Sequence, residues 1–190
     1  MDAETGLTAR IERIEAQLAI QQLPARYAVA VDSRDLAALV ALFVPDVDCG
    51  RWGKGRDALK RFYEPTLRNF YRSQHQICGH VVELLGADEA RGTTYCRAEH
   101  EDMDRWYVQA ICYFDQYQRV DGTWCFRRRV ERHWYTADHE ERPNRGDSFQ
   151  RWPRFATPRY QPALPQHWPS WASYWENAGS GAVEAVTKKP

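Results

Sequence analysis

The 190-residue chain has no surplus of charge: Lys+Arg and Asp+Glu number 26 each. Without excess positive charge it has little with which to neutralise phosphates or grip an anionic membrane, so nucleic acid and membrane surfaces are excluded as expected partners. No apolar run approaches membrane-spanning length. The opening MDAETGLTARIERIEAQ is acidic and amphipathic, unlike a signal peptide. The expected location is therefore cytoplasmic. The five cysteines, Cys49, Cys78, Cys96, Cys112 and Cys125, are odd in number and never in C-x-x-C spacing, so they read as reduced, buried small hydrophobes. The chain also lacks G-x-G-x-x-G after a strand, a P-loop, H-E-x-x-H, G-x-S-x-G and any His-x-His pair. Nucleotide-binding, zinc-protease and serine-hydrolase chemistries lose their signatures, and neither a metal nor a cofactor is expected.

Aromatic residues, in contrast, are abundant at 13%, with eight Trp and ten Tyr. That is more than a core of this size needs, and places some rings in a pocket or interface. The length suits one domain with a tail. Leu7, Ile11, Ile14, Leu18, Leu23, Tyr27 and Val31 recur at helical spacing, with Pro24 predicting a bend or fresh start near Gln21 to Leu23. Asp35 can cap a short helix through Phe43, stopped by Pro45. Asp46 to Trp52 reads as a short strand and Asp57 to Phe70 as a helix. Four strand-like runs follow, His75 to Leu85, Arg91 to Asp102, Trp106 to Val120 and Thr123 to Thr136, joined by short turns that imply an antiparallel meander. Helices followed by hairpin-connected strands predict an α+β domain over 1–138, a cone-shaped curved sheet wrapped around N-terminal helices. Residues 139–190 read as a Pro/Trp-rich extended arm packed on the domain or on a neighbouring subunit.

Three proton-handling residues stand out. Strand alternation places His75 on one face with Ile77, Gly79 and Val81, turned towards the helices, and His80 on the opposite face. Asp32 closes the first helix, where a buried carboxylate needs a partner, and His75 is the natural one. The plain alternatives are a core histidine bonded to a helix and a capping aspartate in the DSRD loop. On a hairpin centred near Ala87 and Asp88, His75 and His100 fall almost opposite each other. A carboxylate fixes the tautomer of an imidazole and raises its basicity, and a second imidazole can serve as the acid. Tyr27 lies about 140° around an ideal helix from Asp32, and Tyr113 shares strand parity with Tyr107 and Ile111. Of Arg127, Arg128 and Arg129, at least one points inward and needs a carboxylate, from Glu131 or a substrate. Tyr27, Trp52, Tyr113 and Arg129 are the candidate substrate-binding residues, and Asp32, His75 and His100 the candidate catalytic ones.

The stretch IERIEAQLAIQQLPARYAVAVDSRDLAALVALFVPDVD resembles the opening of SnoaL-like proteins in the nuclear transport factor 2-like superfamily, and the resemblance extends over residues 7–136. Within it, Asp32-Ser33-Arg34-Asp35 resembles the Asp-Ser-Lys-Asp motif of scytalone dehydratase-type lyases. His75-Gln76-Ile77-Cys78-Gly79 resembles their H-x-I-G-G segment, and His100 stands at the spacing of their second histidine. The turn Asp121-Gly122 before Trp124 and Phe126 is similar to the family's last hairpin. The Tyr27 to Asp32 spacing is similar to that of bile-acid dehydratases in the same superfamily. The tyrosines and asparagine that grip substrate in the dehydratase type have no clear counterparts, with Val31, the Cys49–Gly50 region and Tyr113 near those positions. The resemblance implies a cofactor-independent lyase that eliminates water or a small fragment such as formaldehyde from an aromatic or polycyclic hydroxylated molecule. An isomerase using the same dyad, or a small-molecule-binding module that dimerises, are the alternatives. A homodimer or homotrimer is expected, because an open curved sheet leaves one face to cover.

Overall fold

The structure, a computed structural model, describes residues 3–140 and His167. The expected α+β cone is found: helices α1 (Ala3–Asp32), α2 (Leu36–Ala41) and α3 (Arg56–Leu67) precede strands β1 (Ser73–Leu84), β2 (Glu89–Asp102), β3 (Arg105–Val120) and β4 (Thr123–Asp138). The strands form one antiparallel sheet in the order β1-β2-β3-β4. Helix α1 contacts both edge strands, β1 and β4, so the sheet curls about it and leaves a cavity between sheet and helices. Ile20, Leu23, Leu39, Val44, Tyr117 and Phe126 lie at the centre of the core. The proposed arm at 139–190 lies outside the described residues except at its first two positions and His167, whose ring sits 4.9 Å from that of Phe114. No helix among the described residues is long and apolar enough to cross a membrane.

Local expectations were corrected at several places. Helix α1 runs unbroken through Pro24. The proline is fully buried in the core, where packing offsets the roughly 3 kcal/mol that a helix-interior proline costs. The segment 46–52 is not a strand: Gly50, Gly53 and Gly55 take φ of 58°, 97° and 90°, the left-handed region that interrupts extended backbone. Asp48 Oδ1 accepts from the Gly50 N–H at 2.9 Å, and a 3₁₀ turn spans Gly50–Trp52. Helix α3 ends at Leu67, short of the expected Phe70. Asp35 does cap α2, accepting from the Ala38 N–H at 2.9 Å.

The register of β1 decides which of its side chains face the cavity. It shifts between Ile77 and Gly79, with Cys78 as the extra residue of a bulge. Beyond the bulge the facing reverses: His80, Val82 and Leu84 turn inward, while Val81 is 73% exposed. His80 therefore shares the inner face with His75, contrary to the alternation expected from an unbroken strand. The five cysteines are free thiols; Cys96, Cys112 and Cys125 are buried, Cys49 is half-buried and bulged Cys78 is exposed.

Candidate active site

The last turn of α1 and the first residues of β1 meet at Asp32. Its carboxylate accepts from the His75 backbone N–H at 2.8 Å and from the Ser73 hydroxyl at 3.0 Å, and lies 2.7 Å from His75 Nδ1. Burial opposes ionisation of Asp32, but the hydrogen bonds from the His75 ring and backbone, the His75 charge and Ser73 outweigh it and hold the carboxyl below its usual range. An ionised carboxylate only accepts, so the tautomer that fits this contact carries its proton on Nδ1 and leaves Nε2 with a free lone pair. The rest of the DSRD motif builds this corner. Arg34, at φ 61°, donates from Nη1 to the Val31 carbonyl and to Ser73 Oγ, both at 2.7 Å, which orients the serine hydroxyl towards Asp32.

His75 opens onto a cavity of roughly 270 Å³ between the helices and the inner sheet face. This is near the small end of ligand pockets, about 300–1,000 Å³, and suits a molecule of one or two rings. His100, Tyr27, Tyr113 and Arg129 line the same cavity. His100 is not opposite His75: it pairs with Ser73, and His75 pairs with Ala98, because the turn sets the hairpin register one residue away from the expected one and the bulge moves it by one more. The two still share a face, with ring centroids 5.5 Å apart. Burial, and then the neighbouring His75 charge, push the His100 imidazole down to about 3, so it stays neutral. Trp52 is not among the lining residues; its ring packs at 6.2 Å from Phe62, which does line the cavity.

Arg129 is the inward arginine, and its carboxylate is Asp115 instead of Glu131. Nε and Nη2 donate to the two carboxylate oxygens at 2.8 and 2.7 Å. The Cζ atom lies 4.4, 4.1 and 4.3 Å from the ring centroids of Tyr27, Tyr113 and Phe126. Burial disfavours the charge, yet Asp115 outweighs it and raises the pKa of the guanidinium. Asp115 also accepts from Thr94 Oγ1 at 3.2 Å and from the Tyr117 hydroxyl at 3.0 Å, and that hydroxyl lies 2.9 Å from His80 Nε2. His80 thereby belongs to a buried network behind the cavity. Arg129 Nη1 has no hydrogen-bond partner, which leaves a buried donor for a ligand.

Further residues line the cavity beyond the candidate site residues read from the sequence. Tyr63 lies 3.2 Å, hydroxyl to hydroxyl, from Tyr27. Burial lifts Tyr27 well above its ordinary pKa and Tyr63 to about 12, so both remain protonated donors. Gln109 is buried with its Nε2 unpartnered. Glu131 and His133, from β4, form a second carboxylate–imidazole pair with Oε1 and Nε2 2.8 Å apart. Their alternation on β4 could have marked one shared face; the bulges opposite Ile111 and Tyr117 hide which face it is. Among the described residues no group of three or more His, Cys, Asp or Glu side chains is placed to hold a metal ion.

Comparisons with known proteins agree with this architecture. No curated protein matches the sequence significantly. A protein of Novosphingobium aromaticivorans DSM 12444, provisionally named a scytalone dehydratase, is similar at 27% identity and a TM-score of 0.60, over 70% of this chain and 93% of its own. A nuclear transport factor 2-like protein with a cystatin-like fold, from Novosphingobium aromaticivorans, is similar at 26% identity and a TM-score of 0.60, over 69% of this chain and 90% of its own. A hexachlorocyclohexane dehydrochlorinase of Novosphingobium barchaimii LL02 shares the fold at 22% identity and a TM-score of 0.62, over 70% and 96% of the two chains. The sequence profile of the SnoaL-like domain matches residues 12–130, which hold most of α1, the whole of α2 and α3, the Asp32–His75 pair and most of the sheet. The chain belongs to the SnoaL-like domain family.

Proposed function

We propose that the chain is a cofactor-independent lyase that eliminates water or a small fragment such as formaldehyde from an aromatic or polycyclic hydroxylated molecule. The observation that carries this reading is the 2.7 Å contact between Asp32 and His75 Nδ1 at the wall of the cavity. Similarity to the provisionally named scytalone dehydratase supports it.

In this reading Asp32 holds the His75 tautomer and stabilises the imidazolium, while His75 Nε2 takes a proton from a carbon or hydroxyl of the substrate. The carbon–oxygen or carbon–carbon bond to the leaving group then breaks as a new double bond forms. Neutral His100 hydrogen-bonds the departing oxygen instead of acting as an imidazolium acid. The proton that His75 Nε2 has taken is returned to the departing hydroxide, which leaves as water. Tyr27 and the Arg129 Nη1 donor polarise an acceptor oxygen of the substrate, where charge develops in the transition state.

Mass analysis of products from a panel of hydroxylated aromatic compounds tests the reaction type. A product lighter by water or formaldehyde is expected, whereas an unchanged mass with altered chromatography indicates an isomerase. Asp32→Asn and His75→Ala should each lower turnover about 10²- to 10⁴-fold. Ligand binding without turnover, equal in the wild type and both variants, would identify a binding module and sink the lyase reading.

A further inference from the structure

Helix α1 has two opposite apolar faces, and only one of them is used by the domain. Ala16, Ile20, Leu23, Tyr27 and Val31 are buried in the core. Leu7, Ile11, Ile14 and Leu18 lie on the other side and are 55%, 47%, 54% and 57% exposed. The line continues through exposed Ala25 to Val29, which is 68% exposed. Five of the ten large apolar side chains exposed among the described residues thus belong to one line of one helix. Every residue from Gly6 to Glu15 is exposed, so Leu7, Ile11 and Ile14 are not buried in the core of the domain. An exposed apolar stripe of this kind marks an interaction surface.

The spacing names the partner's geometry. Steps of four, three and four residues place Leu7 and Ile14 at d, and Ile11 and Leu18 at a, of a heptad. The flanking e and g positions, Thr8, Arg10, Glu15 and Gln17, are all polar, which confines the apolar stripe to the narrow a/d seam of a coiled coil. In a parallel pair each Arg10 at g faces Glu15 at e in the next heptad of the other helix, an attractive contact made twice. In an antiparallel pair g faces g and e faces e, so Arg10 would meet Gln17 and Glu15 would meet Thr8, with no opposite charges matched. We propose that residues 7–18 of α1 form a parallel two-stranded coiled coil with the same segment of a second copy of this chain. Since the stripe points away from the domain face of α1, the two domains lie on the outer sides of the helix pair and do not collide. This surface is distinct from the open sheet face, and the proposal stands independently of the reaction at the cavity.

Light scattering on the eluting full-length protein tests it. The expected mass is twice that of the chain, falling to the monomer in Ile11→Glu/Ile14→Glu with an unchanged far-ultraviolet circular dichroism signature of the sheet domain. Arg10→Glu and Glu15→Arg should each weaken the dimer at low salt, and an equimolar mixture should restore it as a heterodimer with both charge pairs satisfied. Leu7→Cys should cross-link to itself on oxidation well above the wild-type background. A monomeric wild type, as expected if another part of the chain covered the stripe, overturns the proposal. So does an oligomer that survives Ile11→Glu/Ile14→Glu. Failure of the mixed charge variants to pair, or of Leu7→Cys to cross-link, overturns the parallel arrangement.

Discussion

At the scale of single residues, the buried charges around the cavity set the sharpest expectations. Asp115 and Arg129 have side chains 0% and 4% exposed and bind through two hydrogen bonds. Asp115→Ala leaves a guanidinium buried without its carboxylate and should cost about 3–5 kcal/mol, whereas Asp115→Leu/Arg129→Met should cost far less. Urea unfolding of both variants checks this; equal losses would refute it. His100 makes stability depend on pH. Its unfolded imidazole binds a proton near pH 6.5, about the ordinary value, while burial defers protonation of the folded group to about 3. Below pH 6.5 the unfolded state therefore holds the extra proton, and stability falls with falling pH by up to about 1.4 kcal/mol per unit. His80, also lowered by burial, adds to the same slope. Between pH 6.5 and 5, above the range of most carboxylates, His100→Phe should flatten the loss seen in denaturation midpoints. An unaltered slope would show that His100 is not the source. The pairing of Asp32 with His75 was legible because a carboxylate at the end of an apolar helix needs a partner. The partner of Arg129 was not, because Asp115 meets it only through the β3–β4 register.

At the scale of elements, one extra residue decides the inner face. The bulge at Cys78 moves His100 opposite Ser73 and turns His80 inward, so strict alternation holds for His75 and Ile77 and then fails. The same region is closely packed where β2 passes: a Cβ on Gly92 would lie 2.8 Å from His80 Nε2, 2.8 Å from the Val81 carbonyl and 3.0 Å from the Tyr117 ring. The carbonyl cannot retreat without distorting the β1–β2 ladder. Gly92→Ala should therefore destabilise by about 1–3 kcal/mol. Gly79→Ala, where nothing lies within 4 Å, should stay within about 0.5 kcal/mol of the wild type. Paired denaturation curves separate the two, and equal effects would contradict the packing account. Helix periods and strand runs were readable to within a few residues because they depend on local patterning. The segment from Asp46 to Trp52 was misread because left-handed glycines and the Asp48 side chain override its apolar content.

At the scale of the whole molecule, equal numbers of acidic and basic side chains leave a formal net charge of +0 at pH 7. Self-repulsion is then weakest near neutrality, and light scattering should show the strongest attraction between molecules near pH 7, weakening by pH 9. A minimum elsewhere would mean that shifted ionisations move the balance. The order of elements, the meander and the cone follow from the sequence, since hydrophobic period and short turns are local and hairpin connections admit few topologies. By itself the sequence also determined that Asp32 and His75 could meet, through the ends of one helix and one strand. Only the tertiary structure decided what surrounds them. The bulge at Cys78 and the shifts along β4 set which of His80, Arg129, Glu131 and His133 face inward, and curling of the sheet onto α1 gathers Gln109 and Tyr63 into one cavity. It also decided which of the two apolar faces of α1 is left outside, because periodicity marks a face as apolar without saying what will cover it.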